Sequence, residues 1–221
     1  MRMSMPWIFM IVAIASGSAA EAADSVDLLS NGLQGWVVEG TRDFDNRGDR
    51  VPVWTFAEGV VRSSGHGFGF LRNKRQVSDF RLELEYRFAK NGNSGVGIRT
   101  CPYVDTVDSR PSQAGYEVQL LSDSGQRPSL TSGGSLYAHA IPSQNTSRAI
   151  GEWNSLAVEC RGPRIRVIHN GVDVVDFDQS TQPTAEQKPL RGSVCLQNHG
   201  SAVEFRCILL TDLSPDDVLR D

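Results

Sequence analysis

An all-β chain of antiparallel strands, closed as a sandwich or a barrel, is the fold class this sequence predicts, on three observations. Apolar and polar side chains alternate in run after run, turn signals separate the runs, and no strand–helix–strand order is present. The clearest run is Phe80-Arg81-Leu82-Glu83-Leu84-Glu85-Tyr86-Arg87-Phe88, five apolar residues alternating with four charged ones. A strand with one buried face has that period, because successive side chains point to opposite sides. The same alternation marks residues 96–99, 116–120, 156–160, 165–168, 194–197 and 203–207.

Turns account for what lies between. Asn170-Gly171, flanked by two strand-like runs, is a hairpin signal, since both central residues of a type I′ turn need positive φ. Asn91-Gly92-Asn93, Gly133-Gly134 and His199-Gly200 also read as turns. Helix is confined to a turn or two, such as Ser214-Pro215-Asp216-Asp217, a capping serine followed by proline at the first position. The longest loops fall at 102–114, 122–132 and 141–151, and loops of that length in a compact domain are usually functional.

Composition narrows the class of partner. The 221 residues carry 22 Lys+Arg against 26 Asp+Glu, a net charge of −4, so there is no basic excess for a nucleic acid. The hydrophobic content of 39% excludes a disordered chain, and the length allows one domain with a sizeable core. Arg2, the apolar stretch from Trp7 to Ala15, and Ala20-Glu21-Ala22 have the order of a secretory signal over residues 1–23. The apolar stretch is shorter than the ~20 residues that span a bilayer. A retained membrane anchor is the alternative; after cleavage, residues 24–221 form a single exported domain with no membrane contact. Export places Cys101, Cys160, Cys195 and Cys207 in an oxidising compartment. Their spacing suits neither zinc nor a disulfide scaffold, and they read as small buried hydrophobes with at most one bridge.

Period two also sorts the polar residues. With Val96 and Ile98 inward, Arg99 faces away from the core; with Tyr116, Val118 and Leu120 inward, Glu117 and Gln119 do. Val194 and Leu196 send Gln197 outward with His199 in phase, and Val203 and Phe205 send out Glu204 and Arg206. Such residues can be merely the solvated face of a sheet. Their types favour a polar trough instead: amides and guanidinium supply paired hydrogen bonds to hydroxyls, and Tyr137 and Trp153 could cover a sugar's apolar face.

Asn31-Gly32-Leu33-Gln34-Gly35-Trp36, Ser78 to Arg87, and Asn93-Ser94-Gly95-Val96-Gly97-Ile98-Arg99 stand in order along the chain. Gly115-Tyr116-Glu117-Val118-Gln119, Ser135-Leu136-Tyr137, Gly151-Glu152-Trp153-Asn154, Leu196-Gln197-Asn198-His199-Gly200 and Val203-Glu204-Phe205-Arg206 follow, over about residues 28–213. Their resemblance is to the bacterial family once called DUF1080, the 3-keto-glucoside 1,2-lyase / 3-keto-2-hydroxy-glucal hydratase (3-keto-disaccharide hydrolase) domain. It implies a concanavalin-like jelly-roll sandwich of two antiparallel sheets with little helix in a bacterial protein, for which the signal-like residues 1–23 predict a periplasmic or secreted location. Two positions depart from the family pattern: Ser122, followed by Asp123, stands where an acid is expected, and Cys207 where an asparagine is common.

The resemblance implies a 3-keto-glucoside or 3-keto-disaccharide as substrate. The C3 ketone acidifies the C2 proton, so the C1 substituent can leave by β-elimination and water can add to the resulting 2-hydroxy-3-keto-glucal. That route needs a base at C2, a cation or donors at the C3 oxygen, and an acid at the leaving oxygen. On this expectation Arg99 faces the developing enediolate, and Glu117 and His199 share the base and acid roles, their division left open. Gln119, Gln197 and Asp123 would hold hydroxyls, and Tyr137 would line the trough. No cofactor is implied; a divalent metal is left open, although Asp105 and Asp108 lie in no spaced ligand loop. His66, His139 and His169 read as surface or loop residues, and Trp36, Trp54 and Trp153 as core. The alternative is a non-catalytic, lectin-like carbohydrate-binding module, with a structural surface protein a weaker option. The enzyme predicts that Arg99, Glu117, Gln119 and His199 converge on one pocket.

Overall fold

The structure, a computed structural model, describes residues 25–214; the leader expected at 1–23 and the helical turn expected from Pro215 onward lie outside the described residues. Seven short strands precede residue 80: β1 (Ser25–Asp27), β2 (Trp36–Gly40), β3 (Asp43–Asn46), β4 (Asp49–Pro52), β5 (Trp54–Ala57), β6 (Val60–Ser63) and β7 (Phe68–Asn73). Most are three to five residues long, too short for alternation to show in the sequence. The alternating runs then become β8 (Phe80–Phe88), β9 (Asn93–Thr100), β10 (Tyr116–Leu121), β11 (Asn154–Arg161), β12 (Arg164–His169), β13 (Val172–Asp178), β14 (Ser193–His199) and β15 (Val203–Asp212). Helix amounts to one α turn, α1 (Pro111–Ala114), with Pro111 near its start, where the missing N–H costs nothing, and one 3-10 turn at Gln179–Thr181.

The strands form two sheets, every ladder antiparallel. The larger runs β13-β12-β11-β8-β15-β6-β5 with β1 on the far end of β15, and the smaller β10-β9-β14-β7-β2; β3 and β4 pair as a separate hairpin. This is the jelly-roll sandwich with little helix that the sequence and its resemblance predict. Phe80, Leu82, Leu84, Tyr86, Val158 and Phe205 of the large sheet pack against Val96, Ile98, Val118, Leu120 and Leu196 of the small one in a single core. At β8 the burial alternates over all nine residues, as its sequence does. Asn170 and Gly171 join β12 to β13 with φ of 51° and 79°, the turn the dipeptide predicts.

Some expectations need correction. None of the four cysteines is bridged; Cys160 and Cys195 are buried as expected, but Cys101 and Cys207 are exposed. His169 is fully buried rather than a turn residue. The Tyr86 hydroxyl lies 2.9 Å from its Nε2 and the Thr146 hydroxyl 2.7 Å from its Nδ1. Burial lowers its pKa to about 4, against a smaller opposing effect of Asp123. Trp36 and Trp54 are core, but Trp153 sits on the outer face of the large sheet between the Arg87 and Arg206 guanidinium groups, 4.6 and 4.0 Å from its ring. Glu204 and Arg206 share that face, paired with Arg62, Arg87 and Glu85, and so lie on the opposite side of the molecule's core from the other outward residues.

Truncation of Phe205, at 0% exposure, removes a ring from the middle of this core. Phe205→Ala is expected to cost about 3–5 kcal/mol, whereas exposed Phe56→Ala should cost only about 0.5 kcal/mol. Urea unfolding midpoints check both.

Candidate functional site

Glu117 and Gln119, two residues apart on β10, leave the small sheet on its outer face. On β9 they stand opposite Gly97 and Gly95, and Asn93 continues the same phase. On β14 that face carries Cys195, Gln197 and His199, with Cys195 also opposite Gly97. The glycines are needed for space. A Cβ on Gly95 would lie 2.6 Å from the Glu117 Oε1, and one on Gly97 would lie 2.4 Å from the Cys195 sulfur and 2.7 Å from Pro111. Their bare backbone makes a floor over which Glu117 can lie flat and onto which a loop can seat.

That loop is 102–114. Its start is tied down where the Tyr103 N–H donates to Glu39 Oε2 at 2.9 Å, Glu39 being paired through Oε1 with Arg72 at 2.7 Å. Its end is held by the Lys188 ammonium, which donates to the carbonyls of Ser112, Gln113 and Gly115 at 2.7–3.0 Å. Between these anchors the loop delivers Arg110 and Ser112. Tyr137 arrives from the other side: its N–H donates to the Glu117 carbonyl at 2.8 Å, and Ser135 accepts from the Gln119 N–H at 3.0 Å, so residues 134–137 extend the sheet beyond β10.

The result is a small cavity of about 90 Å³ lined by Glu117, Gln119, Gln197, His199, Tyr137 and Asn93, with Arg110, Ser112 and Phe68 at its wall. Gln119 Nε2 donates to Asn93 Oδ1 at 2.8 Å, and the Arg110 guanidinium lies 4.9 Å from the Phe68 ring centre. Glu117, 5% exposed, is pushed up to about 7 by burial, against weaker opposing effects of a Gln197 hydrogen bond and the Arg110 charge. The buried Gln197 Oε1 has no hydrogen-bond partner among the described residues. A carboxyl titrating near neutrality beside a cation and an imidazole is equipped for proton transfer. Two larger hollows, about 370 and 360 Å³, lie against the large sheet, where Glu83, Glu85 and Glu204 are paired with arginines. Among the described residues no three His, Cys, Asp or Glu gather as a metal site.

The structure therefore brings together Glu117, Gln119, Gln197, His199 and Tyr137 from the sequence-based set, but not Arg99 or Asp123. Arg99 is turned away by a β-bulge. Between the pairs Gly97–Cys195 and Thr100–Ser193, β9 has two residues, Ile98 and Arg99, where β14 has only Val194. The extra residue, with Arg99 at φ 53°, reverses the alternation. The guanidinium is fully buried at one end of the sandwich, its Nη2 donating to the carbonyls of Ser78 and Gly162 at 3.1 and 2.7 Å. Those carbonyls belong to the large-sheet side, so Arg99 fastens the two sheets together. Asp123 is also a fastener: it accepts from the Gly133 N–H at 2.9 Å and the Ser147 hydroxyl at 2.8 Å, joining the loops on either side of Tyr137. Arg110, Ser112, Asn93 and Phe68 were missed. Extending the β9 period back through Gly95 would have found Asn93; the length of loop 102–114 was the only signal for Arg110.

Comparison with known proteins gives a family and a set of related folds. Residues 25–211 match the family model of the 3-keto-alpha-glucoside-1,2-lyase-like domain. A proposed glycosyl hydrolase from Parabacteroides distasonis is 25% identical, with a TM-score of 0.69 over 86% of this chain and 100% of that one. A second from the same organism is 21% identical (TM-score 0.68; 86% and 94% covered). A carbohydrate-binding module from Bacillus subtilis shares the fold at 15% identity (TM-score 0.55; 80% and 96% covered). No curated protein matches the sequence.

The raised pKa of Glu117 has a thermodynamic consequence. Folding favours its protonated form, so that contribution is fully present below the ordinary carboxyl pKa of 4.5 and is gone once pH passes about 7. Glu117→Gln removes the titration. The stability of the native protein relative to this variant should fall by about 3 kcal/mol between pH 4 and pH 8. Denaturant unfolding of both proteins across that range measures the difference; a flat difference contradicts the desolvated carboxyl.

Proposed function

The chain belongs to the 3-keto-alpha-glucoside-1,2-lyase-like family, and from that premise we propose that it is a carbohydrate-active enzyme cleaving 3-keto-glycosides. The single observation that carries this is Glu117, a carboxyl outside the hydrophobic core yet shielded from water, with Arg110 and His199 on the same small cavity.

In the proposed reaction Glu117 takes the proton from C2. The C2–H electron pair moves toward the C3 carbonyl and gives an enediolate, whose negative oxygen faces the Arg110 guanidinium. Collapse of the enediolate breaks the C1–O bond, and the pair leaving on oxygen takes a proton from His199. The product is a 2-hydroxy-3-keto-glucal. Water then adds to C1 and gives a proton back to His199, while Glu117, its proton exchanged with solvent, protonates C2, and the sum is hydrolysis to the free 3-keto sugar. The role expected of Arg99 passes to Arg110, and Glu117 rather than His199 is the base, because its pKa is matched to a proton transfer near neutrality. Gln119, Gln197 and Asn93 would hold hydroxyls, and Tyr137 would cover the ring. The leader at 1–23 supports a periplasmic or secreted location.

A lectin-like module would use the same amides and Tyr137 without any reaction, on a fold that also serves a carbohydrate-binding module. The raised carboxyl favours the enzyme, since holding a neutral sugar calls for no titrating group.

Incubation of the protein with 3-keto-trehalose in D₂O tests the proposal, with products followed by mass spectrometry and enone absorbance. Deuterium at C2 and release of glucose are expected, with the acid limb of kcat/KM near pH 7. Glu117→Gln should lose about 10²–10⁴-fold in kcat, and Arg110→Met about 10²–10³-fold. Tight binding of an unchanged substrate establishes the module instead.

A further inference from the structure

The reaction proposed above asks Arg110 to meet a developing oxyanion, and such a donor contributes most when its place is fixed beforehand. Arg110 is exposed, and among the described residues it forms no ion pair. A long side chain in that state loses much rotamer freedom when it is ordered, so it needs a seat. Its guanidinium carbon lies over the Phe68 ring, 4.9 Å from the centre. The negative face of an aromatic ring attracts a cation and gives the flat guanidinium a plane to lie on.

Phe68 is itself firmly placed. The Phe70 and Tyr103 rings meet it edge-on at 5.3 and 5.9 Å, and both are buried. Its N–H donates to the Thr41 hydroxyl at 3.2 Å, and its carbonyl accepts from the Thr41 N–H at 2.9 Å. The neighbouring glycine permits that approach, because a side chain on Gly67 would strike Thr41. Directly across the β14–β7 ladder stands His199, its ring centre 5.4 Å from that of Phe68 and its plane at 81°. One clamped ring therefore touches both the guanidinium and the imidazole assigned to the reaction.

We propose that Phe68 is a positioning residue: its ring seats the Arg110 guanidinium and sets its spacing from His199, while taking no part in bond making. This rests on the reaction proposed above and deepens it.

Replacement of Phe68 by 4-fluoro-, 3,5-difluoro- and 3,4,5-trifluorophenylalanine in the full protein tests the role, because fluorine weakens the ring's negative face with little change of shape. On 3-keto-trehalose, kcat should fall stepwise, to about one-tenth with three fluorines, while KM stays within about twofold. In the Arg110→Met background the same series should change kcat by less than about twofold, since the cation it acts through is gone. Phe68→Tyr should keep most of the rate where Phe68→Leu loses about tenfold. A rate indifferent to fluorine, or an equal fall in the Arg110→Met background, overturns the positioning role and leaves the proposed reaction intact. A second measurement needs no turnover: the Phe68 ring current should move the Arg110 side-chain proton resonances upfield, and Phe68→Leu should return them. That shift without turnover of 3-keto-trehalose overturns the reaction and leaves the seat standing. Absence of the shift overturns the seat whatever the turnover.

Discussion

Glu117 has to be kept out of water on a face of the sheet that the hydrophobic core does not cover, and much of the architecture around it meets that constraint. Gly95 removes a side chain that would press on the carboxyl, and Gly97 one that would press on Cys195 and Pro111. Loop 102–114 is laid over the same glycine floor through Pro111. A carboxyl so placed pays in solvation and keeps its proton to near neutrality. It is poised because it is poorly solvated and has no close ion pair among the described residues; a salt bridge like that of Glu39 with Arg72 would favour its ionised form.

The supports of this arrangement are charged groups doing structural work at a distance from the cavity. Glu39 joins β2, β7 and the start of the loop, and Lys188 gathers three carbonyls at its end. Asp123 and its partners brace the segment bearing Tyr137. Buried Arg99 fastens one sheet to the other. Removing one partner from such a buried network leaves the other unsatisfied, which costs more than the bond contributed. These residues would therefore influence the site through position, without touching a ligand.

The two outer faces of the sandwich show how alike charged strands can differ in use. On the large sheet, Arg62, Arg87 and Arg206 pair with Glu204 and Glu85 across strands, and Arg87 and Arg206 lie over the Trp153 ring. On the small sheet the polar groups face a hollow, and Gln197 Oε1 has no partner among the described residues. Residue type alone hinted at this difference; the partners decide it.

Alternation and turn chemistry determined, from the sequence by itself, that the chain is an antiparallel β sandwich or barrel, and the phase of each long strand. Because β-strand side chains repeat every two residues, phase alone places Glu117, Gln119, Gln197 and His199 outward. What phase cannot say is which strands become neighbours. It left Glu204 and Arg206 indistinguishable from Gln197 and His199, and only sheet order put them on opposite faces. Nor does it survive an inserted residue: the single bulge in β9 turned Arg99 from the trough into the interior. Arg110 had no period to betray it, since a loop's direction is set by distant anchors such as Glu39 and Lys188, which only the folded chain brings near.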